Sequence, residues 1–328
     1  MHSFLILAAA ALILLAPVGS AQAGRYTVVD IDGSADTSLL GINTKGQATG
    51  IWEGSVFLRE KDGTIVPIPV PGTDPRPLGI NAHGDVAGTT YQSCGDLNCA
   101  FGFLRRADGT VTTFNASGDP LGNTYVYGVN DAGEIAGFFL DSSGTQHGFT
   151  RRSNGKVKVV DIPGATIVQL TALNDNGYVA GSFFDSAEHG LILAPDGSRT
   201  VFEIAGASTI YVRGINDDGW VVGFYLDAEN KSVGFVRSPD GTVTLVDVDG
   251  TTAMSVSAIN GSEEIAGTYG AKHVFGFAQT PSGMSKSLEI KGALHVAPAA
   301  INDHGVVAGT YWNEIHGVFR FYGFIWHP

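Results

Sequence analysis

Residues 125–139 read YVYGVNDAGEIAGFF, and this stretch contains the pattern that decides the fold. An alternating apolar segment runs into an Asn-Asp-x-Gly turn, and a second apolar segment with an internal glycine follows it. An asparagine preceded by a small residue and an apolar residue recurs seven times, at Asn43, Asn81, Asn130, Asn174, Asn216, Asn260 and Asn302. These marker asparagines are 38, 49, 44, 42, 44 and 42 residues apart, within the range that encodes one propeller blade. The repetition predicts seven blades, one for each copy of the repeat, and we number the copies 1 to 7 in chain order.

The repeat consists of four short segments, which copy 3 displays most clearly at residues 125–129, 134–139, 147–150 and 156–162. The segments are rich in β-branched and aromatic residues, and clusters of Gly, Asn, Asp and Ser separate them, as is typical of antiparallel strands with tight turns. No part of residues 24–328 has the pattern of a long helix. The chain is therefore predicted to be all-β, a seven-bladed β-propeller of four-stranded antiparallel blades, with one domain over residues 24–328.

The two ends of the chain predict how the ring closes. Copy 7 ends without a fourth segment, whereas residues 28–33 match the fourth segments at residues 159–164 and 245–250. An N-terminal strand that completes the last blade would close the circle and leave no blade unpaired. The alternative is an open stack with a stray N-terminal strand. In copy 7, both His316-Gly317-Val318 and Tyr322-Gly323-Phe324 resemble the third-segment motif.

A glycine occupies one fixed place in the second segment of every copy: Gly50, Gly88, Gly137, Gly181, Gly223, Gly267 and Gly309. Glycine weakens a strand unless another group must approach closely, so a large side chain is predicted to pack over it. The expected occupants are the third-segment residues Phe57, Phe103, Phe149, Phe235 and Phe277.

The turns at the marker asparagines resemble part of a calcium loop only in some copies, such as Asn174-Asp175-Asn176-Gly177. Other copies lack the additional oxygen ligands, and no bidentate acid follows at the required distance. A structural turn accounts for all copies, so no metal site is predicted.

The first 23 residues have the features of a signal peptide. An apolar run extends from Phe4 to about Leu15, and Ala21-Gln22-Ala23 predicts cleavage after Ala23. The run is too short for a permanent membrane span. The chain is thus predicted to be secreted or periplasmic, with no integral membrane segment after cleavage. Its net charge of -13 disfavours nucleic acid as a partner.

The two cysteines, Cys94 and Cys99, lie between the second and third segments of copy 2. In an exported protein they predict a local disulfide. A redox or zinc site is disfavoured, because the spacing is not C-x-x-C and two sulfurs do not complete a zinc site.

The motifs Gly-Ile-Asn-Asp-x-Gly, Val-Ala-Gly-x-Tyr/Phe, His-Gly-Phe and Asp-x-Pro-Gly together cover almost the whole chain after the signal peptide. In this combination the sequence resembles the HAF family of probable extracellular bacterial repeats. It departs from the pattern at Val56-Phe57 and over residues 115–120. The resemblance implies export, repetition and a bacterial source, and it brings no catalytic residues to transfer.

Ligand-binding residues are expected where equivalent positions differ between copies. The first strand of each blade lies nearest the axis, and the residues three and five positions before the marker asparagine fall on one side of it. One arc of these positions is polar and aromatic, and the opposite arc is small and aliphatic. The candidate ligand-binding residues are Arg76, Tyr125, Tyr127, Gln169, Tyr211 and Arg213. Tyr and Arg are typical of binding surfaces, although the same side chains could instead plug the central tunnel.

His147, His189 and His316 each precede a glycine near the start of a third strand. A single such histidine could be a catalytic base, but its repetition favours a structural hydrogen bond. The sequence has no G-x-S-x-G, H-E-x-x-H, P-loop or dinucleotide motif, and we expect no cofactor.

Two functional hypotheses follow. The first is an exported monomeric binding scaffold that holds an unknown small molecule, glycan, peptide or protein at the channel mouth. The alternative is a secreted lyase or hydrolase in which Tyr125, Tyr127, Tyr211, Arg76 and Arg213, with histidines at the channel mouth, supply acid, base and charge-stabilising groups.

Overall fold

The computed structural model describes residues 24–34, 36–270 and 273–328. The predicted signal peptide and its cleavage site after Ala23 lie outside the described residues. Within these ranges, regular secondary structure consists of thirty β-strands, and no helix is present. None of the described segments forms a helix with the length and apolar character needed to cross a membrane. The all-β prediction is confirmed.

In chain order the strands are β1 (Arg25–Val29), β2 (Thr37–Ile42), β3 (Ala48–Trp52), β4 (Ser55–Arg59), β5 (Ile65–Ile68), β6 (Thr73–Ile80), β7 (Val86–Cys94), β8 (Leu97–Arg105), β9 (Val111–Phe114), β10 (Asn123–Val129), β11 (Ile135–Leu140), β12 (Gln146–Arg151), β13 (Val157–Val160), β14 (Ile167–Leu173), β15 (Val179–Phe184), β16 (Glu188–Leu193), β17 (Arg199–Phe202), β18 (Ala207–Ile215), β19 (Val221–Asp227), β20 (Ser232–Arg237), β21 (Val243–Leu245), β22 (Asp247–Val248), β23 (Thr251–Thr252), β24 (Ser255–Ile259), β25 (Ile265–Tyr269), β26 (Phe275–Gln279), β27 (Ser285–Leu288), β28 (His295–Ile301), β29 (Val307–Ile315) and β30 (Val318–His327).

These strands form small antiparallel sheets in a β-propeller arrangement. Five sheets have four strands each: β2–β5, β6–β9, β18–β21, β24–β27, and β28–β30 with β1. The strands β10–β17 form one eight-stranded sheet, and β22 and β23 form a two-stranded ribbon. The sequence predicted seven separate sheets, and the difference has a local cause. One parallel pair, Gln146 with Ile167, joins copy 3 to copy 4, so the two groups of four strands are continuous.

The first strand of every copy contains a β-bulge at the residue three positions before the marker asparagine. In copy 3, Val126 pairs with Gly137 and Gly128 pairs with Ala136, which leaves Tyr127 without a partner between them. The equivalent bulged residues in chain order are Leu40, Leu78, Tyr127, Thr171, Arg213, Ser257 and Ala299. A bulge bends the strand and changes the direction of the extra side chain, so each copy presents one residue whose side chain the ladder does not constrain.

The fixed glycine of the second strand lies beside this bulge. A Cβ atom on Gly137 would lie 2.0 Å from the carbonyl oxygen of Tyr125 and 2.9 Å from the ring of Phe149. The predicted aromatic contact is confirmed at Gly88, Gly137 and Gly267, where the contacting rings belong to Phe103, Phe149 and Phe277. A first-strand carbonyl is closer still in every copy, so the backbone itself leaves no room for a side chain.

The marker asparagines are buried and connect neighbouring copies. The Oδ1 atom of Asn130 accepts a hydrogen bond from the backbone N–H of Glu134 at 2.8 Å, which closes its own turn. Its Nδ2 atom donates to the carbonyl oxygen of Asn174 at 3.1 Å. The same donation joins each marker asparagine to the next, at 2.9–3.1 Å. Asn302 in turn donates to the carbonyl oxygen of Asn43 at 2.9 Å.

The first and last described strands pair in one sheet. Strand β1 pairs antiparallel with β30, from Arg25 opposite His327 to Val29 opposite Gly323. This is the pairing that the match between residues 28–33 and the other fourth segments predicts. Phe324 lies opposite Gly309, so Tyr322-Gly323-Phe324 is the third-strand motif of copy 7. His316 instead lies in the hairpin turn before β30, with a φ of 53°.

Candidate functional site

Two open spaces lie on the axis of the propeller. The first, which we call the axial cavity, has a volume of about 220 Å³ and is lined in all seven copies by the bulged residue and the two residues after it. The second has a volume of about 330 Å³ and is lined by the marker asparagines and the residues beside them. Both share a collar of apolar residues: Ile42, Ile80, Val129, Leu173, Ile215, Ile259 and Ile301. The bulged side chains therefore border open space.

The polar bulged residues of the axial cavity come from four consecutive copies, with Ser257 as the contribution of copy 6. Tyr127, Thr171 and Arg213 are the bulged residues of copies 3, 4 and 5. The Thr171 hydroxyl donates to the carbonyl oxygen of Val212 at 2.8 Å, so its orientation is fixed. The copies on the other side present Ala299 and two leucines. The asymmetry predicted between the two arcs is thus present among the bulged residues.

Two tyrosines of copy 3 pack on one aromatic ring. The ring centroids of Tyr125 and Tyr127 lie 5.0 Å and 5.8 Å from that of Phe138, both in stacked orientation. Burial raises the pKa of the Tyr127 hydroxyl, and this effect outweighs the opposing charge of Arg213. Burial also raises the pKa of Tyr125, with a further contribution from the nearby Tyr91 hydroxyl. Both phenols are therefore protonated at neutral pH and can donate hydrogen bonds to a ligand.

Copy 5 adds a cation held against aromatic rings. Tyr211 stacks on Phe224 with a centroid separation of 4.7 Å. The Arg213 guanidinium lies 5.3 Å from the Phe224 centroid and 5.9 Å from that of Tyr211, within cation–π range. Arg213 forms no ion pair with any residue that the structure describes. Its charge is therefore positioned by the rings and not neutralised by an acid.

The other two predicted site residues have partners of their own. Gln169 donates from Nε2 to Oε1 of Gln146 at 2.7 Å. Arg76 pairs with Asp74 at 3.3 Å, and both side chains are more than half exposed. The structure thus brings Tyr125, Tyr127, Tyr211 and Arg213 into one group, whereas Arg76 and Gln169 are engaged in contacts outside it.

Two residues near this group are absent from the sequence prediction. Tyr91, on β7, approaches the Tyr125 hydroxyl from the second strand of copy 2. Tyr91 occupies the third position after Gly88, where no other copy has a tyrosine. This difference between copies could have identified Tyr91 as a candidate from the sequence. Burial raises the pKa of the Glu188 carboxyl, although hydrogen bonds from Ser182 and from the backbone of Ile210 lower it. Glu188 follows no repeating pattern that would have identified it.

The histidines connect third strands to neighbouring acids. His147 lies between Asp161, 2.6 Å from its Nδ1 atom, and Asp141, 3.3 Å from its Nε2 atom. Partial burial lowers the pKa of His147, but these two carboxylates raise it by more, so the net shift is upward. His189 similarly lies 3.3 Å from Asp185 and 3.5 Å from Glu203. Neither histidine lines the axial cavity, and their contacts are those of structural ion pairs.

Acidic side chains border the second cavity. Asp131, Asp175, Asp217 and Asp303 follow their marker asparagines there, and Asp175 accepts a hydrogen bond at 2.7 Å from the backbone N–H of Asp131. Burial raises the pKa of Asp175, and the neighbouring carboxylates add to the increase. Among the residues placed by the structure, no three His, Cys, Asp or Glu side chains form a group that could hold a metal ion.

The predicted disulfide is confirmed. Cys94 and Cys99 are bonded, with their Cα atoms 5.9 Å apart, at the end of the β7–β8 hairpin. In that hairpin Ser93 pairs with Asn98 and Cys94 with Leu97. The bond therefore fixes the tip of a hairpin that also carries Tyr91.

The chain matches no family model and no curated protein. Among solved structures, it is similar to virginiamycin B lyase from Staphylococcus aureus, with a TM-score of 0.59 and 15% identity over 93% of this chain and 99% of that chain. The β-propeller domain of Cps50 (Swd1) from Myceliophteria thermophila matches with a TM-score of 0.55 and 11% identity, over 93% of this chain and 100% of that one. YCF48 bound to D1 peptide matches with a TM-score of 0.52 and 10% identity, over 93% and 95%. At these identities the likeness establishes a β-propeller fold and nothing about activity.

Proposed function

We propose that this chain is an exported bacterial binding scaffold, a closed ring of seven four-stranded blades that holds a ligand at the arc formed by Tyr127 and Arg213. The observation that carries the proposal is the Arg213 guanidinium, which stacks on two aromatic rings beside an open cavity and has no acidic partner among the described residues. Membership of the HAF repeat family, suggested by the motifs, forms part of this proposal.

Three contacts support a closed ring of seven blades. The eight-stranded sheet is joined at its middle by a single residue pair, and division at that pair yields two groups of four strands. The chain of asparagine hydrogen bonds returns from Asn302 to Asn43. Strand β1 supplies the fourth strand of the last sheet. A ring closed in this way has no unpaired first or last blade.

The disulfide supports export. Such bonds persist in oxidising compartments and are rare in the cytosol. The bond between Cys94 and Cys99 agrees with the signal peptide predicted for residues 1–23. Secretion or release into the periplasm is the setting in which both features make sense.

The side chains of the arc suggest the chemistry of the ligand. Tyr125, Tyr127 and Tyr211 offer flat apolar faces with hydroxyl donors, which suit sugar rings and peptide side chains. Arg213 adds a positive charge that can meet a carboxylate or other anionic group. A ligand with one flat face and one acidic or acceptor group, such as a small glycan, a peptide or an acidic small molecule, fits this combination.

One observation favours the lyase or hydrolase alternative. Burial raises the pKa of Glu188, and a carboxyl with a raised pKa is a common general acid or base. However, the phenols of Tyr125 and Tyr127 have raised pKa values and are poor bases at neutral pH. The binding role requires only hydrogen-bond donors and is therefore the better match to the arc.

The proposal is tested by a binding screen of glycans, peptides and metabolites on the mature chain, residues 24–328. We expect a ligand whose affinity falls roughly tenfold or more in Arg213→Ala and in Tyr127→Ala. Lys231→Ala is the control, because Lys231 is an exposed cation that lines neither axial space, so its replacement should leave affinity unchanged. Equal binding by all four proteins would refute the site. Conversion of the ligand by wild type, lost in Glu188→Gln, would favour the enzyme instead.

A further inference from the structure

In addition to the two axial cavities, a concave surface lies between copies 3 and 4. This inter-copy groove has a volume of about 390 Å³. One wall consists of β13 and the adjoining face of β12, including Thr150, Lys158 and Val160. The other wall comes from copy 4 and includes Val179, Leu193 and Pro195. The floor is thus apolar, and Leu173 is the one lining residue that this groove shares with the axial cavity.

The charge of this groove is opposite to that of the chain. Arg152, Lys156, Lys158 and Arg199 line it, and Glu134 is the only acid in the lining. The chain as a whole has 32 acidic and 19 basic residues, so a surface with four cations and one carboxylate is exceptional. Arg199 donates to the carbonyl oxygen of Asp161 at 2.9 Å. None of the four cations forms an ion pair with another residue in the described ranges.

The groove is bordered by a strand with one open edge. Strand β13 pairs with β12 on one side, and no described strand pairs with its other side. All five residues from Lys156 to Val160 line the groove, so the main chain of this strand forms its border. Val159 is 46% exposed on the same strand. An open edge of this kind can accept an additional strand through N–H and C=O groups.

In the corresponding groove between copies 2 and 3, the cationic side chains already have partners. Arg106 there lies 3.7 Å from Asp85 and donates to the carbonyl oxygen of Ser153 at 2.9 Å. Arg151 lies over the ring of Phe114 at 4.5 Å. These two cations already have partners, whereas Lys156 and Lys158 do not. The unpaired positive charge therefore distinguishes the junction of copies 3 and 4 from the junction of copies 2 and 3.

We propose that the groove between copies 3 and 4 binds an extended acidic peptide segment of a partner protein, which adds as a strand to the open edge of β13. Alternate side chains of such a peptide would carry carboxylates toward Lys156, Lys158 and Arg152. The intervening apolar side chains would point to the opposite face of the sheet, where Val157 and the exposed Val159 lie. An acidic polysaccharide could meet the cations but has no N–H and C=O ladder to match the strand edge.

The probe is a rhodamine-labelled octapeptide of alternating Glu and Val, titrated with the mature chain and followed by fluorescence anisotropy. Binding should weaken about tenfold or more in the double variant Lys156→Glu with Lys158→Glu, because each substitution replaces attraction by repulsion. Lys231→Glu is the control, since Lys231 is an exposed lysine on a loop of copy 5. The control should bind as wild type does. Equal loss in the control would overturn the proposal.

Two further probes separate strand addition from simple charge attraction. The same octapeptide with N-methylated backbone amides keeps its carboxylates but cannot pair as a strand, and it should bind at least about tenfold more weakly. Polygalacturonate should not displace the unmodified peptide at matched carboxylate concentration. Tight binding of the methylated peptide, or full displacement by the polysaccharide, would overturn the proposal. Arg213→Ala leaves this groove intact and should bind the octapeptide as tightly as wild type does. The proposal for the axial cavity and the proposal for this groove can therefore be refuted independently.

Discussion

Replacement of Asn216 by alanine should destabilise the protein by about 1.5–4.5 kcal/mol, because it leaves the partly buried backbone N–H of Trp220 without a partner and removes one of two hydrogen bonds to the carbonyl oxygen of Asn260. Asn216 is 5% exposed. Its Nδ2 atom donates to the carbonyl oxygen of Asn260 at 3.1 Å, and its Oδ1 atom accepts from the backbone N–H of Trp220 at 2.9 Å. The variant removes both bonds, although the Asn260 carbonyl oxygen still accepts from the backbone N–H of Glu263 at 3.1 Å.

The magnitude follows from the two hydrogen bonds that are lost. A donor that loses its only partner costs about 1–3 kcal/mol, and a bond lost at an acceptor that stays paired costs about 0.5–1.5 kcal/mol, so the two bonds together contribute about 1.5–4.5 kcal/mol. One of them lies in the turn of copy 5 and the other joins the next copy, so the loss weakens both a hairpin and a junction between copies. A total near the middle of the range would be a large fraction of the stability of a typical domain, about 5–15 kcal/mol.

The assay is urea unfolding of the mature chain, followed by tryptophan fluorescence and circular dichroism so that coincidence of the two signals tests two-state behaviour. Asn154→Ala is the matched control. Asn154 is exposed, and its Oδ1 atom accepts one hydrogen bond, from the backbone N–H of Lys156 at 3.0 Å. The control should change the free energy of unfolding by less than about 1 kcal/mol. If Asn216→Ala were no more destabilising than Asn154→Ala, the hydrogen bonds between marker asparagines would not stabilise the contacts between copies.

Gly137→Ala should destabilise the fold by about 3 kcal/mol or more, since its Cβ would lie 2.0 Å from a carbonyl oxygen. Gly128→Ala, where the nearest atom is 4.0 Å away, should stay within about 1 kcal/mol of wild type in the same urea assay, and similar losses in both variants would contradict the packing described. Asp141 has a pKa lowered to about 2, chiefly by the Ser143 hydroxyl and, against partial burial, by the Thr145 backbone and His147. Because this pKa lies below the unfolded value, the carboxylate stabilises the fold above about pH 4, and that contribution is lost as the pH falls toward 2. The difference in thermal midpoint between wild type and Asp141→Asn should therefore be full at pH 5 and nearly absent at pH 2; a constant difference would contradict the assigned pKa.

The all-β character and the disulfide could be predicted because they depend on short-range signals. Strand segments, turn residues and cysteine spacing are local in sequence. The pairing of β1 with β30 was also predictable, since the N-terminal segment repeats the pattern of the other fourth segments. The number of separate sheets was not, because it depends on one pair, Gln146 with Ile167, that no repeat pattern marks.

The candidate site was predictable in position but not in detail. The repeat predicted that the residues three and five positions before each marker asparagine share one side of the first strand. In the structure, the bulge gives these two positions different surroundings. Tyr127 and Arg213 are bulged and line the axial cavity, whereas Arg76 pairs with Asp74 at the exposed surface. A bulge depends on the fit between neighbouring strands and sheets, so alternation along one strand cannot reveal it.

Contacts between copies were the hardest to foresee. The sequence interpretation assigned the marker asparagines to their own turns, and their Oδ1 atoms do close those turns. Their Nδ2 atoms bind the next copy, through a donor that the turn does not use. The Tyr91 hydroxyl of copy 2 likewise contacts the Tyr125 hydroxyl of copy 3. Such contacts become visible only when the copies are arranged in space.

The position of a bound ligand would show whether the axial cavity is the binding site. The measurement is a crystal structure of the mature chain with the tightest ligand from the binding screen. We expect the ligand to occupy the axial cavity, with one group within hydrogen-bonding distance of Arg213 and a flat face against Tyr127. A ligand bound elsewhere on the ring, with the axial cavity filled only by solvent, would contradict this expectation.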